Sequence, residues 1–171
     1  MRRLLLLSSL AIGLVIPLTP VVCFAQANAT QTNDGFNLSS VDALLAKGDR
    51  EAAGGNLTEA VKSYDKARNA SRSLLSFYRD LGGAFRGLDA RIPRDMDQKG
   101  RESIEKLAQA NLRLAAVYRR QNQSEVAVPL LVEVVKLMTP STADGRKAYQ
   151  QLVEVGFVST PYAAPAAAAT N

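Results

Sequence analysis

The stretch AKGDREAAGGNLTEAVKSYDKA, residues 46–67, decides the fold. Gly54-Gly55 supplies the left-handed stop that ends a helix, and Asn56 with Glu59 three residues on is a start signal for the next. After it Ala60, Val61, Tyr64 and Ala67 recur at helical spacing. A connection this short makes the two helices turn back on each other, and Gly48, Ala60 and Ala67 are small enough for their backbones to approach closely. An antiparallel helical hairpin is therefore predicted. Its first helix spans about Val41 to Ala53, behind a capping pair at Ser39 and Asp42.

This hairpin resembles a tetratricopeptide repeat, in which a small residue in the first helix, a Gly or polar turn, and Ala, Tyr and Ala in the second let two helices nest. The matching positions are Gly48, Gly55, Ala60, Tyr64 and Ala67. A second copy lies in LRLAAVYRRQNQSEVAVPLLVEVVKLMTP, residues 112–140, with Leu114, Ala115, Tyr118, Asn122, Ala127, Leu131, Val134 and a closing Pro140. Ala60 and Ala127 stand 67 residues apart, close to twice the ~34-residue unit of the family. Half of a middle copy surrounds Tyr78, Leu81, Gly82 and Phe85, but Pro93 interrupts its second helix and Arg94, Gln98 and Arg101 stand where small or apolar residues belong. The expected form of this degenerate middle is a long helix through Phe77 to about Ala90, a turn at Arg91 to Arg94, and a second long helix from about Asp95 to Gln121. A helix with Pro129 one turn inside its start follows. A last helix, opened by Ser141 and Asp144 and closed by Gly156-Phe157, caps the stack. The resemblance thus implies an all-α fold, a short α-solenoid of antiparallel hairpins over residues 39–157. Generic helical bundles share such spacings.

The termini differ from this body. Arg2 and Arg3, the apolar run Leu4 to Val22 and the small-x-small exit Ala25-Gln26-Ala27 form a secretory signal peptide over residues 1–27, with cleavage near Ala27. A signal anchor is the alternative, because the run is long enough to span a bilayer, but Pro17 and Pro20 favour removal. Cys23, the one cysteine, leaves with the peptide, so the exported chain carries no disulfide. Removal also takes two of the 21 basic side chains against 16 acidic ones and lowers the net charge from +5 to +3. That mild excess suits solubility more than nucleic-acid binding. Residues 28–38 are expected to be a flexible leader and residues 158–171 a disordered Ala/Pro tail. The order of leader, short repeat body and tail is similar to small exported repeat proteins of photosynthetic bacteria. Periplasm or a thylakoid-lumen-like compartment is the expected location.

The chain has no His, which removes imidazole bases, Ser-His and Cys-His pairs and His-ligated metals. Asp95-Met96-Asp97-Gln98-Lys99-Gly100 imitates the opening of a calcium loop, but Lys99 takes a ligand position and Lys106 the place of the final Glu. No cofactor, metal or enzyme activity is expected. Arg72, Arg79 and Arg86, spaced by seven, would share one helical face able to grip carboxylates, or form a solvated charged face. The candidate protein-binding residues are Lys62, Arg79, Arg86 and Asn111. The expected function is binding of a protein or peptide in a groove between hairpins, as an assembly scaffold. A structural subunit of a membrane-associated complex is the alternative, and a His-free hydrolase ranks last.

Overall fold

The computed structural model describes residues 36–163, which form five helices: α1 (Leu38–Ala53), α2 (Leu57–Ala84), α3 (Arg91–Arg120), α4 (Ser124–Met138) and α5 (Ala143–Glu154). The described residues contain no strand. The leader over residues 1–27 and most of residues 28–38 lie outside them, as do the last eight residues of the tail. None of the described helices is long and apolar enough to cross a membrane.

Each helix packs against the next in the chain, and α3 also touches α1 and α5. The core runs through the row from Val41 and Leu45 of α1 to Ala148 and Leu152 of α5. Its tightest point is the first crossing. Gly48 of α1 is buried against Tyr64 of α2, where a Cβ would stand 2.6 Å from Tyr64 Cδ1. Only the missing side chain lets the ring lie there. Tyr64 is itself buried, and its hydroxyl donates to Asp49 Oδ1 at 2.7 Å. In the second hairpin, 67 residues on, the same two positions hold Ala115 and Leu131, both fully buried.

The turns repeat as well. In the first, Gly54 N donates to Arg50 O, Gly55 N to Ala52 O and Asn56 N to Glu51 O. In the second, Gln121 N donates to Val117 O, Asn122 N to Arg119 O and Gln123 N to Tyr118 O, every partner displaced by the same 67 residues. After α5, Val155, Gly156 and Phe157 donate to Gln151, Val153 and Leu152 in the same pattern. The middle residue of each trio has a left-handed backbone: Gly55 at φ 83°, Asn122 at 57° and Gly156 at 75°. Among the described residues no helix follows the third turn. Instead Tyr149 donates to Thr160 O at 2.8 Å and its ring meets Tyr162 edge-on, so part of the expected loose tail lies on α5.

Several boundaries depart from expectation. α1 starts at Leu38, which belongs to its packed surface rather than to the leader, and the capping pair is Asn37 with Ser40 instead of Ser39 with Asp42. The Asn56 side chain makes no cap bond. Thr142, not Ser141, caps α5 by accepting from Gly145 N at 3.1 Å. In the middle the expected long helix, turn and second long helix are present, but the turn falls at residues 85–90 rather than at Arg91 to Arg94. α2 does not stop after Ala67, because nothing from Leu57 to Leu81 is Gly or Pro. α3 starts at Arg91, with Pro93 in its first turn, where a backbone N–H has no helical partner to lose. On either side of the turn at residues 85–90, Gly82 and Met96 bring the far halves of α2 and α3 together.

Candidate functional site

Side by side on one face, α3 and α5 enclose a groove of about 490 Å³, lined by Gln109, Leu112 and Arg113 of α3 and by Asp144, Lys147 and Gln151 of α5. The volume falls in the range of small ligand sites. α1 holds the opposite flank of α3 through two ion pairs. Asp49 Oδ1 accepts from Arg113 Nε at 2.9 Å, and Lys106 meets Asp42 at 2.6 Å. Asp49 thus ties Tyr64 and Arg113 together. Burial, reinforced by the carboxylate of Asp49, pushes the Tyr64 hydroxyl well above its ordinary pKa and keeps it a donor.

Two features of the groove remain uncommitted within the chain. Lys147 is exposed and has no ion pair among the described residues. Gln151 Oε1 is shielded from solvent and accepts no hydrogen bond. A wall that offers the Lys147 cation beside Leu112 suits an extended segment that carries carboxylates.

The residues expected to bind are not brought together. Lys62 sits on the outer face of α2, paired with Glu59 at 2.7 Å. The proposed stripe of Arg72, Arg79 and Arg86 is broken: Arg72 is bonded to Glu133, and Arg86 lies past the end of α2 in the turn. Arg79 is exposed beside Met96, Gly100 and Ile104. Asn111 is fully buried, and its Nδ2 donates to Glu133 Oε2 at 3.0 Å. Arg68 donates to the same oxygen, so Asn111 belongs to a cross-link of α2, α3 and α4 and not to a surface. Burial raises the Glu133 carboxyl, but Arg72 and Arg68 outweigh it and hold the group below the ordinary range. The calcium-like stretch at Asp95 is continuous α3, with Lys99 on Asp95 at 3.0 Å.

The repeat-packing positions are placed differently. Gly48, Ala60, Tyr64, Ala67, Gly82, Leu114, Ala115, Ala127 and Leu131 are all buried, Tyr118 is half-buried, and Gly55 forms the exposed left-handed turn. Arg113 and Lys147 were missed as groove residues, although they stand 34 residues apart, one repeat length, on helices that end in the same turn. Compared with known protein families and with curated proteins, the chain matches none.

Proposed function

We propose that this chain is a non-catalytic, exported helical-repeat protein of tetratricopeptide type, a short α-solenoid, that holds an extended segment of another protein in the groove between α3 and α5. The observation that carries this reading is the exposed Lys147, without an ion pair among the described residues, lining the same groove as Arg113. Uncommitted polar groups on a rigid frame bind with little ordering cost, because the partner alone must be arranged. The absence of His from the sequence supports a binding role over acid–base catalysis.

The test is a photo-crosslinking residue at Gln109 or at Ala116, which also lines the groove, in native cells, with Lys62 as a control position on the far helix. The expected result is one discrete adduct from both groove positions, lost on Arg113→Glu, with none from Lys62. Equal adducts from all three positions, or none, would remove the groove as the binding surface.

A further inference from the structure

α2 is twelve residues longer than α1, so at 1.5 Å per residue the joined ends of α2 and α3 project about 18 Å beyond their first neighbour. Most of the exposed large apolar side chains of the described residues gather on this projection: Phe77 and Leu81 one turn apart on α2, Phe36 edge-on against Phe77 at 5.4 Å, and Leu88 at the apex, 79% exposed. Arg86 and Arg94 flank the apex without an ion pair among the described residues, and Arg91 shares Asp89. The nearby acids are partly engaged: Asp95 is held by Lys99 and Asp80 accepts from Ser76, while Asp97 stands beside Arg79 and Arg101.

The geometry points to this apex as a docking surface for an anionic lipid membrane. The exposed apolar side chains stand beside guanidinium groups without ion pairs among the described residues, and a bilayer interface takes in a single leucine and supplies the negative charge that those groups lack. The surface uses none of the groove residues, so it stands or falls apart from the function proposed above.

The experiment uses the full chain with Cys23→Ser and Ala90→Cys, labelled at the new thiol with an environment-sensitive fluorophore. The readout is local because the apolar run Leu4–Val22 can itself hold the chain on vesicles. Phosphatidylglycerol-containing vesicles should shift the emission to the blue and raise it, phosphatidylcholine vesicles should not, and salt should reverse the effect. Arg86→Gln with Arg94→Gln should weaken the response about 25-fold, roughly five-fold for each arginine. Leu88→Ser should reduce the blue shift with circular dichroism unchanged. Should the paired variant misfold, the salt dependence of the unmodified tip carries the same test. No shift on anionic vesicles, an equal shift on neutral ones, or a shift without vesicles that grows with protein concentration would overturn the inference, the last indicating a second copy of the chain.

Discussion

At Gly48 the fold depends on an absent methyl group. Replacing Gly by Ala inside a helix normally gains about 1 kcal/mol. At this position the methyl meets several atoms of the rigid Tyr64 ring, and overpacking of that kind costs about 1–3 kcal/mol. Gly48→Ala is therefore expected to be destabilising in urea unfolding. The second hairpin uses Ala115 and Leu131 at these positions, so Gly48→Ala combined with Tyr64→Leu should be more stable than the two single effects summed. Glu133 sets the acid limit. Its folded pKa is depressed, so its contribution is present above the unfolded value of about 4.3 and is lost as pH falls through the lower folded value. Glu133→Gln should flatten the acid side of a stability-against-pH curve; an unchanged slope would show that its arginines do not set it. Gly48, Ala60 and Tyr64 were legible because close approach selects residue size locally. The burial of Asn111 was legible from its place on the apolar stripe of α3, but its bond to Glu133 was not, because it joins residues 22 positions apart on different helices and leaves no period in the sequence.

Between helices, the three turns impose one backbone shape on three sequences, Gly-Gly-Asn, Gln-Asn-Gln and Val-Gly-Phe. Gly55 needs no side-chain space, since nothing stands within 4 Å of its would-be Cβ, so Gly55→Ala isolates the left-handed penalty of about 1–2 kcal/mol. A loss near zero would mean the turn can relax. Helix identity was readable from these stops, and so was the pair of long helices in the middle, but the place of the turn between them was not. The uninterrupted run without Gly or Pro from Leu57 to Leu81 describes the continuous α2. Pro93 was taken as an interruption because a proline at position three of a helix and one between two helices look alike until the start at Arg91 is known.

Across the molecule, α1, α3 and α5 touch in order while α2 and α4 fill the intervals, so two hairpins of one geometry and a closing helix share a core. Their all-helical nature was evident in the sequence. The α3–α5 groove was not, since it is created by helices whose polar residues look like any solvated face until stacking sets Arg113 beside Lys147. Beyond the hairpins, α2 and α3 have only each other and a few contacts to rely on. Residue-resolved hydrogen exchange of the full chain tests this division directly. The account predicts the slowest amides at Ala60–Ala67, Ala108–Ala115 and Ala127–Val134, with much faster exchange across residues 77–100. Slowest exchange in residues 77–100, or uniform rapid exchange throughout, would contradict it.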